Sequence, residues 1–169
     1  MAARTYYCGA NAKIYYAIPA ADEGDAEDRI ADILAGSEID NIRDVTLTLE
    51  KDESDITMRQ GGGWKATWGC LKRCTVEFTL VCNKAPASDV AYLALRDAFF
   101  NTVGSDYVDG MISLAVMSNG KVVGSKSRGP VGDFYVTGFN RNEPTEGVIT
   151  VDVTAKLNQL YGYHIVADA

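Results

Sequence analysis

Between Trp64 and Cys82 every even position but one is apolar: Trp64, Ala66, Trp68, Cys70, Cys74, Val76, Phe78, Leu80 and Cys82, with Lys72 the interruption. The odd positions are mainly polar, as in Lys65, Thr67, Arg73, Thr75, Glu77 and Thr79. Successive side chains of a strand point to opposite faces, so this period of two predicts a long β-strand with one buried face. At ~3.3 Å per residue the stretch would reach ~60 Å, whereas an ordinary strand has ~5–6 residues. A compact domain of this length is only about 30–40 Å across. The strand must therefore bend near Gly69 or project from the body as an arm, with the tract Gly61-Gly62-Gly63 as a flexible hinge before it.

The remaining chain reads as further short strands. Lys13–Ile18 is rich in aromatic and β-branched residues and is closed by Pro19. Val45, Leu47 and Leu49 alternate with Thr46, Thr48 and Glu50; the polar stretch 51–55 predicts a turn, and Ile56 and Met58 a second short strand. Met111–Met117 predicts a strand, and Asn119-Gly120 a two-residue hairpin turn into residues 121–124. Asp133–Asn140 alternates, a turn at Glu143–Gly147 reverses the chain, and Ile149, Val151, Val153 and Ala155 form the apolar side of the returning strand. Residues 158–169 show no clear period and are expected as a C-terminal extension.

One helix is predicted, over about 88–101. Ala91, Ala94, Leu95, Ala98 and Phe99 follow the i, i+3, i+4, i+7, i+8 template and should lie on a sheet. Leu93 and Phe100 fall on the opposite side and ask for a second cover, either a loop or a neighbouring subunit. The acidic run Asp22–Asp28 predicts a solvated loop, and Arg29–Leu34 is compatible with a helical turn ending at Gly36. Seven or eight strands joined by turns, plus one helix, give a mainly β (α+β) fold, an antiparallel sandwich or barrel-like core with a flanking helix. We expect a single domain over 1–169 with a projecting arm or loop at about 51–70.

Composition narrows the function. With 169 residues, 47% of them hydrophobic and 23% charged, the chain can bury a core without disulfide or metal staples. Its apolar runs, such as Val90–Leu95, are too short to span a bilayer, and the N-terminus lacks a signal-peptide core, so a cytoplasmic site of synthesis is expected. The net charge of −7, from 23 acidic and 16 basic residues, repels phosphate backbones, which argues against reading nucleic acid but suits a wall past which DNA slides.

No reaction chemistry is legible. Cys8, Cys70, Cys74 and Cys82 lack the two close pairs of a zinc site and read as small buried hydrophobes. His164 is the only histidine, too little for a nucleophile–base pair. Asp52, Glu53 and Asp55 read as solvated turn charges. Gly120–Ser127 fails as a phosphate loop because Ser125 stands where the second glycine is needed. No catalytic, metal-binding or cofactor-binding residue is expected, and no cofactor.

Several motifs in order carry a resemblance. Ala12-Lys-Ile-Tyr-Tyr16, Arg43-Asp-Val-Thr-Leu-Thr-Leu-Glu50, Asp55-Ile-Thr-Met-Arg59, Gly63-Trp-Lys-Ala-Thr67, Leu95-Arg-Asp-Ala-Phe-Phe-Asn101 and Phe139-Asn-Arg-Asn-Glu-Pro144 are together similar to the major tail tube protein of long-tailed phages, over most of residues 10–157. Residues 19–40, 102–110, 121–130 and those after Leu157 depart from that pattern.

The resemblance implies two packed antiparallel sheets with a flanking helix. Six subunits would form a ring, and rings would stack into the tail tube of a virion, assembled in the host cytoplasm. DNA would pass through the lumen without specific binding, no membrane would be involved, and tape measure, terminator and baseplate or tip proteins would be partners. Arg59 to Cys70 would be the arm reaching another subunit or ring, with Trp64 and Trp68 as aromatic anchors; covering the domain's own core is the other use for both. The self-assembly candidates are thus Arg59, Gly61, Gly62, Gly63, Trp64, Lys65, Trp68, Leu93, Phe100, Arg141, Asn142, Glu143 and Pro144. Arg141 and Glu143 could pair within one subunit or across to another. A hexamer would carry 6 × −7 = −42, which would make an acidic bore repulsive to DNA. The alternatives are a tube subunit of a contractile injection or gene-transfer particle, and a monomeric ligand- or sugar-binding β-sandwich.

Overall fold

The structure, a computed structural model, describes residues 12–19, 25–55, 67–82, 89–101, 110–121 and 127–165. Its elements are β1 (Lys13–Ala17), α1 (Ala26–Ala35), β2 (Ser37–Glu38), β3 (Ile42–Asp55), β4 (Thr67–Val81), α2 (Val90–Phe100), β5 (Met111–Lys121), β6 (Arg128–Asn142) and β7 (Thr150–Ile165). The strands form one seven-stranded sheet in the order β2-β1-β5-β6-β7-β4-β3, and all their pairings are antiparallel.

The mainly β class and antiparallel pairing agree with the sequence reading, but among the described residues one hydrogen-bonded sheet stands where two packed sheets were expected. The reason lies in β6 and β7. They are 15 and 16 residues long, and their register shifts at Val131/Gly132, Asp133/Phe134 and Val136/Gly138. Such irregularities bend a strand and increase its twist. One face of the bent sheet then feeds a single core. Ile14 of β1, Leu114 of β5, Phe134 of β6, Val153 of β7 and Phe78 of β4 all belong to it, with Leu47 of β3 packed against it. Full burial of a side chain such as Phe134 or Leu95 stabilises the fold by roughly 2 kcal/mol.

Among the described residues two helices cover the sheet instead of one. α2 buries Tyr92, Ala94, Leu95 and Ala98 in the large core. The expected stripe held at Ala94, Leu95 and Ala98, while Ala91 is half-buried, Phe99 is exposed and Tyr92 takes a buried place instead. Asp89 caps the helix by accepting a hydrogen bond from the Tyr92 amide at 3.2 Å, and Asn101 ends it in the left-handed region at φ 48°. On the other face of the sheet α1 packs Ile30, Ile33 and Leu34 over Tyr15, Ala115, Met117 and Val131. Central strand β5 is therefore buried on both faces, and its Ile112–Met117 stretch reads as unbroken burial rather than alternation.

Part of the acidic run expected as a loop is helix: Asp25 precedes α1, and Glu27 and Asp28 lie in its first turn, where the helix dipole favours negative charge. Gly36 follows α1 because a Cβ there would sit 2.2 Å from the Tyr16 carbonyl oxygen.

Three further expectations change. The turn placed at 51–55 is strand, since β3 stays paired with β4 to Asp55; Ile56 and Met58 lie outside the described residues. Asn119-Gly120 lies within β5, with the Asn119 amide donating to the Ser127 hydroxyl at 2.9 Å. The C-terminal extension expected over 158–169 is instead strand as far as Ile165, paired with β6. The last was illegible because Gly132, Leu160 and Gly162 sit at a break in register that destroys a simple period.

A candidate self-assembly surface

β7 pairs with β4 from Thr75 to Val81, and β4 pairs with β3 along its whole length. Among the described residues, Thr67–Cys74 therefore has β3 alone as a neighbour. This leaves a two-stranded ribbon of about 25 Å at ~3.3 Å per residue, running past the point where β7 turns away with β6. Its pairing is irregular where Lys51–Glu53 faces Gly69–Lys72, a bulge of the kind that re-aims a ribbon.

The alternation of β4 explains its two faces. Cys74, Val76, Phe78, Leu80 and Cys82 enter the core. Thr75, Glu77 and Thr79 are on the other face, opposite Thr48, Thr46 and Arg43 of β3 and Lys156, Thr154 and Asp152 of β7. That second face is wet and rich in threonine, with Thr79 donating to Asp152 at 2.7 Å. With Glu50 and Asp52 of β3 and Arg73 of β4 on the same side, its charges are Glu50, Asp52, Glu77 and Asp152 against Arg43, Arg73 and Lys156, so 3 − 4 = −1. Arg73 is also held by Asp52 at 2.8 Å.

Of the candidate residues, Arg59, Gly61, Gly62, Gly63, Trp64 and Lys65 lie outside the described residues. Trp68 is a backbone position of β4 opposite Ser54 in the ribbon. Phe100 is exposed on α2 and meets Phe99 edge-on at 5.1 Å, and Phe99 in turn stacks on Phe139 at 6.0 Å. Leu93 departs from expectation: it is half-buried and packs against this subunit's own core. Asn142 ends β6 opposite Thr150, and Glu143 and Pro144 open the exposed turn into β7. Arg141 forms an ion pair with Glu143 of the same subunit and donates to the Tyr92 hydroxyl at 3.2 Å, tying the end of β6 to α2. Ribbon and β6–β7 turn lie at opposite ends of the sheet, because Val81 faces Thr150 at one end of the β4–β7 ladder and Thr75 faces Lys156 at the other.

Sequence reasoning missed the polar cluster under α1. Arg29 and Asp133 are both buried, with Arg29 Nη2 3.9 Å from Asp133 Oδ1. Asp133 accepts from the Ser113 hydroxyl and, at 2.6 Å, from the Tyr161 hydroxyl, while the Arg29 guanidinium lies 5.3 Å from the centre of the Tyr161 ring. Burial, and then the bond to Asp133, pushes the Tyr161 phenol up from its ordinary value. The only sequence signal was an arginine among the apolar positions of α1. Cys74 and Cys82 are free, buried thiols whose pKa burial raises, as expected of small hydrophobes. Among the described residues no group of histidine, cysteine and acidic side chains could hold a metal.

The fold has solved counterparts. The chain superposes on the tail of an empty gene transfer agent particle, refined helically with C6 symmetry, with a TM-score of 0.60 and 14% identity over 91% of this chain and 96% of that one. A subunit of the virion of a native gene transfer agent particle gives 0.61 and 13% identity over 91% and 95%. The SPP1 tail tube gives 0.62 and 13% identity over 92% of this chain and 77% of that one. No protein-family model and no curated protein matches the sequence. At this identity the likeness establishes the fold: the chain has the architecture seen in tail tubes of phages and gene transfer agents.

Proposed function

We propose that the protein is a structural virion component of the tail tube, six copies closing into a ring and rings stacking into a tube through which DNA is delivered. The observation that carries this is near-complete superposition on a C6-symmetric tail subunit, supported by a ribbon that runs beyond the sheet and by exposed Leu49, Leu71 and Phe100. Exposed apolar side chains on a ribbon and on the helix beside the sheet ask for a partner surface. The whole chain acts as one tube-subunit domain, with residues 51–70 as its arm and Trp64 and Trp68 as anchors on a neighbouring subunit. Phe100 and the β6–β7 turn supply further contacts. The protein works by assembly and carries out no reaction; tape measure, terminator and baseplate or tip proteins meet the ends of the tube.

The threonine-rich face of β3, β4 and β7 is the wall of the lumen. Its charges nearly cancel, with one acid in excess, so DNA meets hydroxyls and paired ions with no surplus of cations to hold it. Negative-stain electron microscopy of the purified, concentrated protein tests the reading. Rings and tubes with sixfold symmetry are expected. A monomer at every concentration would return the chain to the class of monomeric binding modules.

A further inference from the structure

Beyond Cys74 the inward row of the β3–β4 pair runs out of core. Leu47 faces Val76 and Leu49 faces Cys74, but the next pair on that side is Lys51 opposite Lys72. Like charges directly across an antiparallel ladder repel, and both lysines are exposed with no ion pair among the described residues. Leu49 is 56% exposed. Between this stretch of ribbon and the end of β7 lies an apolar groove of about 380 Å³, with Leu49, Leu157, Leu160 and Tyr163 on its walls and Lys51 and Lys72 on its rim. Glu50 and Arg73 also border it; Arg73 is held by Asp52, so the two lysines and Glu50 remain and the groove keeps one positive charge in excess.

The opposite end of the sheet has the complementary character. The β6–β7 turn presents exposed Pro144 and Val148 around Glu146, which is exposed and without an ion pair among the described residues. Pro144 folds back on Gly147, whose φ of +133° only glycine adopts readily, so the turn is compact. Asp89 stands near this end as well, at the start of α2 beside Arg141 and Cys82. The groove and the turn are separated by the ladder Thr75–Val81, about 20 Å of paired strand.

An apolar, basic recess at one end and an apolar, acidic knob at the other form a head-to-tail pair, and a contact of that kind propagates without limit along an axis. From this we infer that the groove at the base of the ribbon is the ring-stacking socket, and that its occupant is the β6–β7 turn, Glu143–Val148, of a second copy in the next ring. Val148 and Pro144 fill the groove and the Glu146 carboxylate sits between the Lys51 and Lys72 ammonium groups. The inference rests on the tube reading above and specifies which surfaces join the rings.

Carbodiimide coupling of wild-type tubes, followed by peptide mass spectrometry, tests it without a mutation: amide links from Lys51 or Lys72 to Glu146 or Glu143 between copies are expected. Links from these lysines to the acids of α1 or to Asp97, links confined to one copy, or no such links would overturn it. In parallel, Lys51→Glu with Lys72→Glu lowers tube mass by about tenfold or more, because six such contacts act together at each junction, and adding Glu146→Lys restores it. Circular dichroism and thermal unfolding confirm that each variant remains folded. Unchanged tubes from the double reversal, or no rescue by Glu146→Lys, would overturn the socket alone. A wild-type protein that forms no tubes would overturn the tube reading and the socket with it.

Discussion

Arg29 of α1 and Asp133 of β6 lie 3.9 Å apart at their charged ends, each no more than 6% exposed, and together they pin α1 to the back of the sheet. Asp133 is satisfied by Ser113 and Tyr161, whereas Arg29 Nη2 has no hydrogen-bond partner among the described residues. The pair is therefore better solvated on its acidic side than on its basic side.

Removing the acid should be the more damaging change. Asp133→Ala leaves a buried guanidinium without its counter-ion and is expected to destabilise the subunit by about 3–5 kcal/mol. Arg29→Met leaves Asp133 with two donors and fills similar volume, so its effect should be smaller. Urea unfolding of the two variants, at a concentration where the protein is monomeric, measures the difference.

Gly129 cannot carry a side chain. A Cβ there would stand 1.5 Å from the carbonyl oxygen of Val116. Backbone cannot yield as a flexible side chain does, so Gly129→Ala should separate β6 from β5 at that point and destabilise the fold by about 3 kcal/mol or more. Soluble yield and unfolding midpoint give the check.

Alkali should unfold the subunit from about pH 9 upward. Burial raises the Cys74 and Cys82 thiols above 9.0 and the Tyr16 phenol above 10.0, and Tyr161 is raised by burial and then by Asp133. Lys13 is raised above 10.5, first by its hydrogen bond to Glu38. Each folded-state pKa lies above the unfolded value, so these groups hold more protons when folded. Their contribution is complete below the unfolded values and is lost as pH climbs through the folded ones. Unfolding midpoints measured at constant ionic strength should fall across that window, and less steeply for Tyr161→Phe.

Making the threonine face basic should make the tube retain DNA. Thr46→Lys and Thr48→Lys fall on β3 opposite Glu77 and Thr75, so strand pairing should survive. Two added cations per subunit give 2 × 6 = 12 in a ring of six. Tubes of this variant are expected to bind double-stranded DNA in a salt-dependent way, whereas wild-type tubes do not. Equal binding by both would place the lumen on another face.

Phe100 separates assembly from stability. It is 66% exposed and touches only Phe99 among the aromatic residues described. Phe100→Ser should change the unfolding midpoint of the monomer little and should weaken ring formation, read by light scattering against protein concentration.

Much of this was legible in the residues alone. Alternation marked β4, the core side of β3 and the start of β7, because a strand that buries one face must repeat every two residues. Spacing marked α2, and Lys72 announced itself as the one charge on an apolar row. The order of the motifs pointed to the tube architecture. Tertiary structure decided the rest. Whether 51–55 turned or continued depended on a partner strand more than a dozen residues away, and β4 supplies it. The two faces of β5 look alike in sequence because helices cover both of them. One sheet does the work of two because register shifts bend β6 and β7, and a register shift has no sequence period to reveal it. The lysine pair, above all, exists only in the fold: Lys51 and Lys72 lie far apart in the chain, and only antiparallel pairing sets one charge against the other and leaves both in want of a partner.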